Sequence, residues 1–175
     1  MIRKLKKLFY FLKNNKKSFL NEQIDLFNQF NLDRRRGQEK FNNIKKLYPA
    51  MNSAMNSEHQ TIFSSISENK QNEIKNILEI GTYDGTNALL LSILFPLANI
   101  LTIDLPDDAR EFQNTYGRTD KSKRENFIKS RNKVIGLAKN INFKQFNSLN
   151  LTFEKEKFDL IWVDGAHGYP QVTID

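Results

Sequence analysis

The chain has 175 residues, a net charge of +7, and 39% apolar residues including 14 Phe. That supplies one packed domain and excludes a wholly disordered chain. It has no cysteine, which excludes disulfides, thiolate metal sites and cysteine nucleophiles, and no apolar run reaches the ~20 residues of a bilayer span.

The positive charge is concentrated at the start. Residues 1–46 hold 13 Lys+Arg against 4 Asp+Glu; the other 129 hold 14 against 16. The basic character therefore belongs to an extension, and the high isoelectric point does not make the chain a specific nucleic-acid binder. Residues 1–36 read as this extension. Ile2, Leu5, Leu8, Phe9 and Leu12 recur at helical spacing, with Arg3, Lys6, Lys13 and Lys17 on another side. Such a basic amphipathic helix packs on its own domain or a twin subunit, lies on an anionic membrane surface through residues 1–17, or touches phosphate. A homo-oligomer and peripheral membrane contact are thus both open. The apolar stretch 8–12 is short and Lys13, Lys16 and Lys17 follow it, unlike a secretory signal. The expected compartment is cytoplasmic.

Leu20, Ile24, Phe27 and Phe30 continue as a second helix, and Arg34-Arg35-Arg36-Gly37 reads as a charged link. Residues 37–73 form a helical linker or cap interrupted by Pro49, with Ile62, Phe63 and Ile66 marking one helix. His59 falls in this polar stretch and reads as structural or solvated.

From residue 74 to 175 the pattern alternates. Ile77 to Ile80 is a strand, followed by the turn Gly81-Thr82-Tyr83-Asp84-Gly85. A helix apolar nearly all round follows, with Thr86 or Asn87 as its cap and its end before Pro96. The second strand is Ile100 to Asp104, the third Ile141 to Phe146, and the fourth Phe158 to Val163. A helix from Glu125 to about Lys139 separates the second and third. Strands alternating with helices predict an α/β fold with a parallel sheet and right-handed crossovers. Ligands of such sheets bind beyond the strands' carboxyl ends. Asp84, Asp104, Asn147, Asp164 and His167 all fall there.

The turn separates two ligand classes. A pyrophosphate needs a second glycine for close backbone approach, whereas the middle of Gly81–Gly85 holds Tyr83. S-adenosylmethionine has no phosphate; its amino-acid end needs a helix N-terminus and a nearby acceptor. Asp104 can accept from ribose hydroxyls, and Asn147 can meet an adenine edge. The plainer alternatives are that Glu79 caps a turn or a lysine and that Asp104 caps the helix after Pro106; Asp104 at the end of the next strand favours the cofactor reading. A nicotinamide-dependent enzyme and a non-catalytic interaction module with a degenerate cofactor domain remain alternatives. Arg118, Arg124 and Arg131 face either an anionic substrate or solvent.

Glu79-Ile80-Gly81-Thr82-Tyr83-Asp84-Gly85, Asp104, and the run from Phe158 through Asp164-Gly165-Ala166-His167-Gly168-Tyr169 resemble class I S-adenosylmethionine-dependent methyltransferases. The nearest group is the family 24 domain, which includes macrocin-type O-methyltransferases. The resemblance implies a Rossmann-like sheet in the order 3-2-1-4, the first four of seven strands. The chain then reads as incomplete at its C-terminus. It implies that Glu79, Gly81, Thr82, Tyr83 and Gly85 surround the methionine part. Asp104 would hold the ribose, and Asn147 with Ser148 would border adenine. It implies His167 as base and Asp164 as a catalytic residue and ligand of a divalent cation such as Mg. The acceptor would be a hydroxyl of a sugar or small metabolite. Where the family more often has an acid, this chain has Asn147.

Overall fold

The computed structural model describes residues 19–53, 57–150 and 157–165. The basic helix expected over 1–17 lies outside them. Residues 19–29 are helical (α1). They are followed by α2 (Arg34–Leu47), a 3-10 turn (Pro49–Ser53), α3 (Glu58–Lys70), β1 (Asn76–Ile80) and α4 (Thr86–Leu94). Then come β2 (Asn99–Asp104), α5 (Arg110–Asn114), α6 (Lys121–Ile135), β3 (Ile141–Gln145), a 3-10 turn (Ser148–Asn150) and β4 (Leu160–Val163). The four strands pair in parallel in the order β3-β2-β1-β4. This is the α/β, Rossmann-like arrangement expected, in the order implied for the first four strands. No helix among the described residues is long and apolar enough to cross a membrane.

Parallel register places Ile77, Ile100, Ile141 and Leu160 side by side. The next row on the same face is Glu79, Thr102, Phe143 and Trp162. That face carries the main core. Ile77 and Ile100 pack with Leu89, Leu90, Leu91 and Leu94 of α4, and with Phe41, Ile44, Met51 and Phe63 from the N-terminal helices. At ~1.5–3 kcal/mol for each large apolar side chain buried, the cap contributes to the same core as the sheet. The opposite face holds a smaller cluster of Leu78, Ile80 and Ile103, while Ile161 and Val163 stay exposed.

Three local expectations are corrected. Arg34-Arg35-Arg36-Gly37 is the first turn of α2, not a link. The Asp33 side chain accepts from the Arg35 and Arg36 N–H groups, which satisfies donors that a helix start leaves unpaired. Arg34 clamps Glu58 of α3 through two bonds of 2.7 and 3.1 Å. Gly37 is a close-approach glycine: a Cβ there would lie 2.0 Å from Ser65 Oγ.

The start of α4 is capped by neither Thr86 nor Asn87. Gly85 is the N-cap at φ +79°, and Asp84 Oδ1 accepts from both the N–H and the hydroxyl of Thr86. The end matches expectation, with Phe95 leaving helical geometry before Pro96.

The helix predicted from Glu125 begins at Lys121, because Asp120 accepts from the Lys123 N–H at 2.8 Å. It stops at Ile135, before Gly136. Arg131 on this helix is not solvated. Its side chain is fully buried, forks onto Asp107 at 2.7 and 2.9 Å, and lies over the Phe143 ring. The third strand ends one residue early, at Gln145, and the fourth begins only at Leu160.

Candidate functional site

The carboxyl ends of the four strands define one rim, and three close approaches assemble it. Gly81 (φ +102°) follows β1, and its N–H donates to Ile103 O of β2 at 2.8 Å. A Cβ on Gly81 would lie 2.2 Å from Asp164 O, so the end of β4 sits directly against the β1 turn. The Asp164 N–H donates to Ile80 O, and the Phe146 N–H donates to Asp104 O at 2.7 Å. The ends of β3, β2, β1 and β4 are thus tied in sequence. Of the residues expected there, Asp84, Asp104, Asn147 and Asp164 follow the ends of β1, β2, β3 and β4 on this rim, and His167 lies outside the described residues.

Asp104 is the hub. Its Oδ2 accepts from the Tyr83 N–H at 2.9 Å and its Oδ1 from the Leu105 N–H at 2.8 Å. Burial pushes its pKa up; those two N–H groups and the fields of Arg118 and Arg131 oppose the rise. Carboxylate oxygens hold more than one acceptor site each, so Asp104 keeps capacity for hydroxyl donors. Asn147 and Ser148 are half-buried just beyond β3.

Glu79 stands deeper than the resemblance implies. It is 1% exposed, and its oxygens accept from the Thr102 hydroxyl and from Asn87 Nδ2. Its pKa is raised to about 7, first by burial, with smaller contributions from Asp164 and Asp104. Asn87, which donates to Glu79, has its Oδ1 buried without a partner among the described residues. Thr82 is also buried, its hydroxyl paired with that of Thr102 at 2.6 Å. It holds β1 to β2 from inside and does not face the rim. The N-terminus of α4, expected to receive a ligand carboxylate, is partly occupied by Asp84 of the chain itself.

A stability consequence follows from Glu79. The unfolded chain loses this proton near 4.5 and the folded chain near 7. Between those values the folded state binds more protons, so stability falls as pH rises through that window and is flat above it. Glu79→Gln keeps an acceptor for one neighbour and removes the buried charge. The variant is expected to gain up to ~3 kcal/mol over the parent at pH 8 and almost nothing at pH 4. Urea unfolding at the two pH values measures this, and an equal difference at both would remove the buried-charge explanation.

His59 was read as structural or solvated. It is half-buried, with its ring 4.9 Å from Trp162 and 5.8 Å from Phe63. Burial lowers its pKa and Asp164 opposes this, so the cap reaches the end of β4. No local signal marks that contact, because it joins residues about a hundred positions apart. Arg118, expected to face an anionic substrate or solvent, is instead 6% exposed and stacks 3.8 Å from the centre of the Phe112 ring. His167 lies outside the described residues.

Among the described residues no group of three or more His, Cys, Asp or Glu is arranged to hold a metal ion. The divalent cation expected at Asp164 thus has no support among the described residues. A cavity of about 330 Å³ opens at the opposite end of the sheet, near Asn76, Asn99, Leu101 and Lys144. It is remote from the rim and gathers no acid or histidine.

No family model matches the chain, and no curated protein matches it. Among solved structures, the chain is similar to the SAH-bound methyltransferase PaMTH1 of Podospora anserina, with 22% identity and a TM-score of 0.41. The match covers 74% of this chain and 49% of that one, so the chain spans about half the length of the matched protein. Likeness at this level fixes neither ligand nor reaction.

Proposed function

We propose that the chain binds S-adenosylmethionine at the rim and serves an O-methyl transfer to a hydroxyl of a sugar or small metabolite. The observation carrying this reading is the Tyr83 N–H to Asp104 bond. It sets an acid at the end of β2 beside a turn whose middle position is a tyrosine, a geometry suited to a ribose diol without a pyrophosphate.

When bound, the cofactor supplies an activated methyl group. The chain supplies position and proton handling. Asp104 accepts from the ribose hydroxyls, and the Gly81–Gly85 turn, with Asp164 beside it, shapes the methionine end. Asn147 and Ser148 border the base. His167 is the proton acceptor for the hydroxyl, which is a poor nucleophile until its proton is shared. No step is assigned to a metal.

Calorimetric titration of the full chain with S-adenosylhomocysteine and, separately, NAD tests the reading. Micromolar binding of the first and none of the second is expected. Binding of NAD alone would replace the proposal with the nicotinamide alternative.

A further inference from the structure

Two tyrosines at the rim occupy backbone positions that do not suit tyrosine. In the turn 82–85, closed by the Gly85 N–H to Thr82 O bond of 2.9 Å, the first central residue is Tyr83 at φ +48°. In the turn 115–118, closed by the Arg118 N–H to Thr115 O bond of 3.1 Å, the central residues are Tyr116 at φ +51° and Gly117 at φ +71°. Positive φ at both central positions is the pattern of a type I′ turn, where Asn, Asp and Gly are the ordinary residues. Bulky residues with positive φ are outliers, and such strain collects at ligand-binding sites. Asn31 is the remaining non-glycine with positive φ among the described residues, and it is of the type that tolerates it.

These two turns lie more than thirty residues apart, yet their tyrosine rings meet at 5.3 Å and 64°. Both stay open to solvent, Tyr83 at 45% and Tyr116 at 74%. The pair stands on a buried base. The Arg118 guanidinium is stacked on Phe112 and lies 5.0 and 5.4 Å from the Phe127 and Tyr116 ring centres. Its Nε donates to Thr115 O at 3.2 Å, and a second nitrogen donates to the Thr115 hydroxyl. Phe127 also touches the Tyr83 ring at 5.4 Å. A rigid aromatic surface is thus held beside Asp104, whose carboxylate takes the Tyr83 N–H.

We infer that Tyr83 and Tyr116 form an aromatic wall for a nucleoside whose sugar is held by Asp104, with Arg118 positioning Tyr116. The loop between α5 and α6 is then part of the ligand site. This rests on the proposed cofactor reading and extends it to Tyr116 and Arg118, which the sequence motifs do not include. The occupant is a nucleoside because the two ring faces adjoin the carboxylate proposed to hold the ribose. Arg118 is largely buried against the rings, at 6% exposure.

The test uses the full chain, with S-adenosylhomocysteine and adenosine as probes in calorimetric titrations. Tyr116→Gly and Tyr116→Asn remove the ring and place residues suited to the turn. Both are expected to unfold at the same or a higher temperature than the parent while binding each probe about tenfold more weakly. Tyr116→Phe keeps the ring and is expected to bind within about twofold of the parent. If the ring-deleted variants bind both probes as the parent does, the wall is not a binding surface and the inference falls. A parent that binds neither probe at any concentration removes the cofactor reading itself, and this extension with it.

Discussion

Gly81→Ala is expected to give the largest loss of stability of any single substitution at the rim. The added methyl would sit 2.2 Å from Asp164 O and 2.6 Å from its carbonyl carbon, and the neighbouring Gly165 N is 3.0 Å away. These are backbone atoms of the adjoining strand end, so no side chain can swing aside. Separation requires β4 to move away from β1, which breaks the Asp164 N–H to Ile80 O bond. The φ of +102° is a further obstacle, since alanine is disfavoured there whatever the space. Overpacking and backbone strain together cost roughly 3 kcal/mol or more, a fall in melting temperature on the order of 10 °C for a domain of this size. Ligand binding should disappear with it, because Asp164 and the turn no longer meet. Thermal unfolding followed by circular dichroism checks this; a loss below 1 kcal/mol would mean that the two strand ends do not touch as described.

Asp104→Asn is expected to give the largest loss of affinity. Asp104 offers both oxygens to N–H groups of the chain and keeps acceptor sites for a sugar diol. The amide has one oxygen, so either the Tyr83 or the Leu105 N–H then faces an NH2 donor. The charge that strengthens bonds to hydroxyls is also lost; bonds to charged groups contribute roughly 1.5–3 kcal/mol each. S-adenosylhomocysteine affinity is expected to fall about 100-fold or more. The fold should lose only about 1–3 kcal/mol, the cost of one unsatisfied donor. Calorimetry and urea unfolding on the same protein separate the effects. Affinity within about threefold of the parent would show that the ligand does not use this carboxylate.

Local chemistry determined a large part of this protein in advance. Short apolar runs marked the strands; β1, in the interior of the sheet, is buried on both faces, while the edge strands β3 and β4 each leave one face exposed. Glycines at 81 and 85 marked the turn after β1, and the residue before Pro96 marked the end of α4. The placing of Asp104, Asn147 and Asp164 on one rim followed from topology alone, since parallel strands send all their carboxyl ends the same way. Caps were less legible. Asp84 competes with Thr86 and Asn87 as acceptor at the start of α4, and Asp33 stands before three arginines that read as a link; only the folded backbone decides which side chain reaches the free N–H groups.

Tertiary packing decided the rest. It turned Arg131 inward, because Asp107 from another loop meets its guanidinium and makes a buried charge tolerable. It buried Glu79 and Thr82, which the resemblance had placed around a ligand, since Thr102 meets both and Asn87 meets Glu79 from separate elements. It brought His59 to Trp162 and Tyr116 to Tyr83 across long stretches of chain. A sequence records the residue types that permit such contacts, but which distant partner fills each one is settled only when the helices and strand ends close on a common core.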